Sequence, residues 1–134
     1  MNYIAVVNTI NRPQHLVERS LNALLKQRIN PNKVFLIDQN ENEIDLSNQI
    51  VDNPIFQRNK VNFKSVSSAR NSILIPEDVE WIFFCDDDGY ACEKYSEILE
   101  ELIVKNPKLE IFAGSIIRED TSEFYSLRHK KGGS

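Results

Sequence analysis

Three adjacent carboxylates, Asp86-Asp87-Asp88, directly follow five apolar residues, Trp81-Ile82-Phe83-Phe84-Cys85, and precede Gly89. Adjacent carboxylates repel one another, so their ionised forms are costly at this position unless a cation lies among them. The apolar run predicts a buried strand, and side chains two residues apart on an extended chain leave the same face, which pairs Asp86 with Asp88. Carboxylates suit hard ions such as Mg²⁺ or Mn²⁺, and such an ion can neutralise a departing diphosphate. We therefore predict a divalent metal site at Asp86 and Asp88.

Two other carboxylate motifs were compared with this segment. An EF-hand loop with Gly89 at its sixth position would put its first ligand on Phe84 and its bidentate acid on Tyr95, and neither side chain binds calcium. The aspartyl-phosphate motif of haloacid-dehalogenase phosphatases resembles Cys85-Asp86-Asp87-Asp88-Gly89, although in that family it closes the first strand. A phosphatase stays open as a minor alternative function. The three aspartates also have a purely structural explanation, which is a solvated acidic turn that caps the following helix.

The spacing of apolar residues predicts strands that alternate with helices. Short continuous apolar runs indicate strands buried in a parallel sheet, and recurrence at three and four residues indicates amphipathic helices. The predicted strands are 3–7, 33–37, 60–63, 81–85 and 111–117, and the predicted helices are 13–25, 46–51, 67–74 and 95–103. This alternation predicts an α/β sandwich with a mainly parallel sheet.

Polar segments follow three of these predicted strands. Thr9 to Arg12 follow the first, Asp38 ends the second, and Asp86 to Asp88 follow the fourth. Taken singly, each segment has a structural explanation, such as a helix cap, a turn or a surface acid. In a parallel sheet, however, the carboxyl ends of the strands share the edge at which α/β folds bind ligands. The common position therefore predicts one ligand site.

Four segments, in this order, resemble the nucleotide-sugar-binding part of family 2 glycosyltransferases. VVNTINRP at 6–13 is similar to the first-strand signature of the family, and FLIDQN at 35–40 is similar to its second-strand signature. SARN at 68–71 is similar to its Ala-Arg-Asn element, and FFCDDD at 83–88 is similar to its metal-binding Asp-X-Asp strand. Asn8 stands where the family usually has proline, and Ile10 where it usually has an aromatic residue. The resemblance runs from about residue 3 to residue 118.

This resemblance implies a Rossmann-like three-layer α/β/α sandwich of the glycosyltransferase A type. Residues 1–118 would form the nucleotide-sugar-binding domain, and 119–134 a polar tail at which an acceptor-binding part would begin. The implied reaction transfers a sugar from a nucleotide-diphosphate sugar, with a UDP-sugar favoured, to a hydroxyl of a glycan or lipid-linked acceptor, with inversion, in glycan or polysaccharide biosynthesis. The site residues carried over from the motifs are Thr9, Asn11, Arg12, Asp38, Arg70, Asp86 and Asp87 for the donor, and Asp86 and Asp88 for Mn²⁺ or Mg²⁺.

The motifs do not identify a catalytic base. Inverting transfer needs a carboxylate that takes the proton of the acceptor hydroxyl, and the acids after residue 118 have no distinctive spacing. The catalytic residue is therefore unknown at this stage. A non-catalytic module that binds a nucleotide or nucleotide sugar is the main alternative to an enzyme.

Composition narrows the remaining classes. A length of 134 residues with 41% hydrophobic content suits one compact domain, and no apolar run approaches the roughly 18 residues of a membrane span. A sequence pI near 5.2 disfavours nucleic-acid binding. Cys85 and Cys92 form neither a Cys-X-X-Cys redox pair nor a zinc framework, which favours reduced thiols. Without a signal-peptide pattern, we expect a cytoplasmic protein, either free or peripheral at a membrane.

Overall fold

The computed structural model describes residues 1–62, 65–108 and 110, which form a parallel sheet of four strands with helices on both faces. In chain order the elements are β1 (Tyr3–Thr9), α1 (Gln14–Leu25), β2 (Lys33–Asp38), α2 (Asn48–Val51), β3 (Phe56–Lys60), α3 (Val66–Arg70), β4 (Trp81–Cys85) and α4 (Tyr95–Lys105). Pro13 precedes α1, where its fixed φ and missing N–H suit the start of a helix.

The strand order β3-β2-β1-β4 puts the first strand inside the sheet. The chain adds β2 and β3 on one side of β1 and then returns to add β4 on the other side. Strand order therefore reverses between β1 and β4, and such a switch point opens a crevice at the carboxyl ends of the strands. In register, Thr9 lies opposite Asp38 and Val7 lies opposite Cys85, so the segments that follow β1, β2 and β4 meet at one edge.

The core has two halves because the side chains of β1 alternate between the faces of the sheet. All residues from Tyr3 to Val7 are at most 1% exposed, as a strand paired on both sides and covered on both faces requires. One face packs against α1, α2 and α4 and contains Tyr3, Ala5, Val7, Leu21, Leu24, Ile50 and Leu99. The second face contains Ile4, Val6, Phe35, Ile37 and Ile73. This layering confirms the predicted α/β fold with a parallel sheet.

The bounds of two predicted elements are wrong. The third strand was expected at 60–63 and lies at Phe56–Lys60. It pairs only with β2 within the described sheet, so its side chains stay half exposed and its sequence carries little apolar signal. The helix expected at 67–74 ends at Arg70, and the chain after it runs over the second face, where Ile73 is buried while Leu74 is 90% exposed.

Part of the sequence prediction lies outside the described residues. This holds for the strand expected at 111–117, for the end of the 1–118 domain and for the tail at 119–134. Among the described helices, none has the length and apolar content needed to cross a membrane.

Candidate functional site

The acidic segment that follows β4 is held against α1 through its backbone. Ser20 Oγ donates a hydrogen bond to the carbonyl oxygen of Asp86 at 2.8 Å, and Arg19 Nη2 donates to that of Asp88 at 3.1 Å. Ser20 is buried on the apolar face of α1, and this polar side chain holds the acidic segment in place. The segment leaves the sheet as a bend directly after Cys85.

Arg12 spans the switch point, because it follows β1 and reaches the carboxylates that follow β4. Its Nε lies 3.2 Å from Oδ1 of Asp87, and its Nη1 lies 3.6 Å from Oδ2 of Asp88. The Asp87 side chain is only 12% exposed, whereas that of Asp88 is 49% exposed. A buried carboxylate needs a compensating charge, and the guanidinium supplies it.

This arrangement corrects the expected geometry of the triplet. The alternation that put Asp86 and Asp88 on one face assumes an extended chain, but the strand ends at Cys85. The two carboxylates that share a cation are instead those of Asp87 and Asp88. Asp86 is exposed, and its carbonyl oxygen is held by α1.

Asp86 and Asp88 are both exposed, and carboxylates are ligands that suit a hard ion such as Mg²⁺ or Mn²⁺. Among the residues that the structure describes, no group of three or more His, Cys, Asp or Glu side chains is arranged to hold a metal ion. Mg²⁺ usually keeps several waters and binds through one or two carboxylates together with substrate phosphates, so a closed cage is not required. Asp86 and Asp88 as metal ligands stay a prediction.

Asp38 ends β2 with a fully buried carboxylate, and the following loop folds around it. Its Oδ1 accepts hydrogen bonds from the backbone N of Asn40 at 3.0 Å and from Asn40 Nδ2 at 2.8 Å. Its Oδ2 accepts one from the backbone N of Ile44 at 2.9 Å and lies 3.9 Å from Arg58 Nη1. These contacts fix the loop 39–44 at the edge of the sheet. The contact of Asp38 with a donor stays a prediction.

Asn11 connects the loop after β1 to this second loop. Its φ is 53°, in the left-handed region that asparagine tolerates better than most residues. Its backbone N donates to Oδ1 of Asn40 at 2.7 Å, and Asn40 in turn contacts Asp38. The residues predicted from the first and second signatures are thus joined through Asn40.

Thr9 has a buried hydroxyl group at the end of β1. It is 1% exposed, and within the described part of the chain its Oγ1 is the one buried side-chain polar atom that has no hydrogen-bond partner. Leaving such a group unpaired costs about 1–3 kcal/mol, and native structures seldom do so. Because Thr9 lies opposite Asp38 at the carboxyl edge of the sheet, a ligand group that reaches and pairs with this hydroxyl would remove the cost.

Arg70, the last residue of α3, approaches the same edge from the second face of the sheet. Its Nε donates to Oδ1 of Asn8 at 3.2 Å, and its guanidinium carbon lies 4.4 Å from the centroid of the Phe84 ring. Arg70 and Phe84 border a groove of about 220 Å³ whose other lining residues are Ile4, Val6, Asn71, Ile73, Ile75 and Ile82. Arg70 is therefore held by both strands of the switch point.

Cys85 precedes the acidic segment as a thiol. Burial, followed by the negative charge of Asp86, raises its pKa to about 11, and Arg70 opposes this shift. In the metal-free protein the thiol is therefore protonated at neutral pH, and its nucleophilicity is low.

Most of the predicted residues fall into three contact groups at one edge, and Thr9 and Asp86 lie at the same edge outside these groups. The first contains Arg12, Asp87 and Asp88, the second joins Asn11 to Asp38 through Asn40, and the third joins Arg70 to Asn8. Motif matching missed Asn8 and Asn40 as members of these groups. It also missed Ser20 and Arg19, which hold the acidic segment, and Gln39, whose Oε1 accepts a hydrogen bond from Asn8 Nδ2 at 3.3 Å. Signals for two of them are visible in the sequence: Ser20 is a polar residue on an apolar helix face, and Asn40 lies two residues after Asp38, as in an Asx turn.

Known structures share this fold. A crystal structure of S. aureus TarS 1–349, a family 2 glycosyltransferase, matches with a TM-score of 0.61 and 19% identity, over 89% of this chain and 40% of the TarS chain. TarS 1–349 in complex with UDP matches with a TM-score of 0.59, 20% identity and the same coverage. A longer TarS structure matches with a TM-score of 0.58 and 20% identity, over 89% of this chain and 24% of that one.

The likeness is one of structure. No protein-family profile matches the sequence, and no curated protein sequence does. This chain spans less than half of each TarS chain that it matches. The expected likeness to glycosyltransferase structures is thereby confirmed at the level of the fold.

Proposed function

We propose that this chain is the donor-binding part of a glycosyltransferase and binds a nucleotide-diphosphate sugar, with a UDP-sugar favoured, at the carboxyl edge of its sheet. The observation that carries the proposal is the contact of Arg12 with Asp87 and Asp88 across the switch point. That contact brings two of the motifs together on a fold shared with TarS, which has been crystallised in complex with UDP. α/β folds bind nucleotides at such a crevice.

The three contact groups suggest a division of roles along the donor. Thr9 and Asp38 lie opposite each other, and we assign them to the nucleoside, where the buried Asp38 carboxylate would hold the loop 39–44 that faces it. Asn11 shapes the loop around that position through Asn40. We assign Arg12 and Arg70 to the diphosphate; Arg12 shares its charge with Asp87 and Asp88, whereas Arg70 is hydrogen-bonded to the neutral Asn8.

We further propose that Asp86 and Asp88 bind Mg²⁺ or Mn²⁺, with Asp87 contacting the donor beside them. When bound, the ion neutralises the charge that develops on the departing diphosphate. The guanidinium of Arg12 would balance the negative charge of the third carboxylate, Asp87. Transfer to a glycan or lipid-linked hydroxyl with inversion is the reaction that the family resemblance favours.

Calorimetric titration with UDP, dTDP and GDP, each with and without Mn²⁺, tests the donor site. We expect UDP to bind with a dependence on Mn²⁺ that Asp88→Ala removes and that Asp78→Ala, at another exposed acid, preserves. Absence of metal-dependent nucleotide binding would overturn the proposed site, and unchanged dependence in Asp88→Ala would overturn the assignment of the metal ligands.

A second assay separates an enzyme from a binding module. Incubation with UDP-sugars and Mn²⁺, followed by measurement of released UDP, should show hydrolysis or transfer if the chain is a transferase. Nucleotide binding without UDP release would favour the non-catalytic module.

A further inference from the structure

Asn8 is a polar residue on an otherwise apolar face of the central strand. It follows Ile4 and Val6 on the second face of β1 and is half-buried. Both ends of its amide are engaged: Oδ1 accepts from Arg70 Nε at 3.2 Å, and Nδ2 donates to Gln39 Oε1 at 3.3 Å. A half-buried amide with both ends paired has its orientation fixed by the network around it.

The partners of this amide lie on both sides of β1. Gln39 is 7% exposed, and its backbone N donates to the carbonyl oxygen of Thr9 at 2.9 Å, which secures it to the end of the strand. Arg70 comes from α3, on the second face. The Asn8 side chain therefore links α3 to the loop after β2 at the point where the donor site is proposed.

Arg70 is restrained at two places by this arrangement. Its Nε is bonded to Asn8, and the Phe84 ring lies against its guanidinium at 4.4 Å. Arginine carries five N–H donors, and among the described residues only the Nε–H has a hydrogen-bond partner. The terminal amino groups therefore keep their donors for a ligand, while the orientation of the planar group is set in advance.

Asn8 is also suited to this position because it is neutral. A carboxylate here would bind Arg70 more strongly, but it would cancel the positive charge that an anionic ligand needs and could not donate to Gln39. An aliphatic side chain would leave Arg70 free to rotate, and ordering a long side chain on binding costs affinity. An amide holds the arginine and preserves its charge.

We infer that Asn8 is a positioning residue, which orients the Arg70 guanidinium toward the diphosphate of the donor. The inference rests on the proposed donor site and adds to it a residue at a position where the family usually has proline. Asn8 acts through Arg70, so its contribution should disappear when Arg70 is removed.

A double-mutant cycle tests this dependence. UDP affinity is measured by calorimetry, in the presence of Mn²⁺, for the wild type, Asn8→Ala, Arg70→Ala and the double variant. We expect Asn8→Ala to weaken UDP binding about 3- to 10-fold in the wild type and less than about twofold in the Arg70→Ala background. Equal losses in both backgrounds would overturn the inference, because a purely structural role would act independently of Arg70.

Two further measurements separate positioning from damage to the fold. Asn8→Asp has nearly the same shape, so it should remain folded but bind UDP at least as weakly as Asn8→Ala; wild-type affinity in this variant would contradict the charge argument. Binding of uridine, followed by ligand-observed NMR, should be unchanged in Asn8→Ala because uridine has no diphosphate, and an equal loss for uridine and UDP would overturn the inference.

Asn32→Ala, at a half-buried asparagine that directly precedes β2 at the opposite edge of the sheet, is the matched control and should bind UDP as the wild type does. If the wild type binds none of UDP, dTDP and GDP, the proposed function and this inference both fail. If the wild type binds UDP but the cycle is additive, only the inference fails.

Discussion

Arg12 and Asp87 form an ion pair across the point at which strand order reverses, with 3.2 Å between Nε and Oδ1. The pair joins the loop after β1 to the loop after β4, and its second branch reaches Asp88 at 3.6 Å. Asp87 is buried beside the guanidinium, whereas Asp88 is exposed and also contacts solvent. A divalent cation that binds Asp88 must therefore compete with Arg12.

Arg12→Gln should change metal and nucleotide affinity in opposite directions. Removing the competing charge should tighten binding of Mn²⁺ alone by about two- to fivefold, the range expected for a partly exposed ion pair. UDP binding at saturating Mn²⁺ should weaken, since a cation that we assign to the diphosphate is lost. Electron paramagnetic resonance of free Mn²⁺ measures the first effect and calorimetry the second.

Arg28→Gln provides the control for Arg12→Gln. Arg28 pairs with Glu97 at 3.1 Å, with both side chains similarly exposed, outside the candidate site. The Arg28→Gln variant should therefore bind Mn²⁺ and UDP with the affinities of the wild type. Mn²⁺ affinity that is the same or weaker in Arg12→Gln would show that the arginine does not compete with the metal.

Asp38→Asn should destabilise the protein markedly. The variant keeps the shape of the side chain but replaces one acceptor oxygen with a donor, which then opposes the N–H of Ile44 or the donors of Asn40. Loss of buried, charge-assisted hydrogen bonds should lower the free energy of unfolding by about 2–4 kcal/mol. Urea denaturation measures it. Asp45→Asn, at an exposed acid of the same loop, should change it little, and equal effects would contradict the role given to Asp38.

The sequence was sufficient to predict the strands β1, β2 and β4, because each is a short continuous apolar run. The burial expected of β4 was wrong in part, since only Phe83 is buried in it and Phe84 is 49% exposed. The sequence was insufficient for β3, because the edge strand Phe56–Lys60 is held by backbone hydrogen bonds to β2 and its polar side chains leave no periodic pattern. Backbone pairing is available to almost any side chain, so composition does not reveal it.

The candidate site was predicted as a set of residues but not as a set of contacts. The pairing of Asp86 with Asp88 assumed that the strand continued, yet Ser20 and Arg19 bind the carbonyl oxygens of the acidic segment after β4 ends. Those bonds come from a helix that is distant in sequence. Contacts of this kind depend on how α1 packs on the sheet, and local spacing carries no information about them.

The two cysteines should differ in reactivity. Burial raises the pKa of Cys85 from 9.0 to about 11, whereas Cys92 is exposed. A rise of this size lowers the thiolate fraction about 100-fold at neutral pH, so iodoacetamide should modify Cys85 at least about tenfold more slowly than Cys92. Mass spectrometry of the labelled peptides measures both rates. In denaturant the two rates should converge, and equal rates in the folded protein would contradict the burial of Cys85.

Thr9→Val should separate stability from ligand binding. Valine has nearly the same shape, and it removes the buried Oγ1 that has no partner among the described residues, so the free energy of unfolding should stay equal or rise by about 1 kcal/mol. UDP should nevertheless bind more weakly, because the hydroxyl is assigned to the nucleoside. Thr9→Ser keeps the hydroxyl and loses a buried methyl group, so it should bind UDP normally while unfolding more readily. Thermal denaturation and calorimetry measure the two effects, and a Thr9→Val protein with unchanged UDP affinity would show that the hydroxyl does not contact the donor.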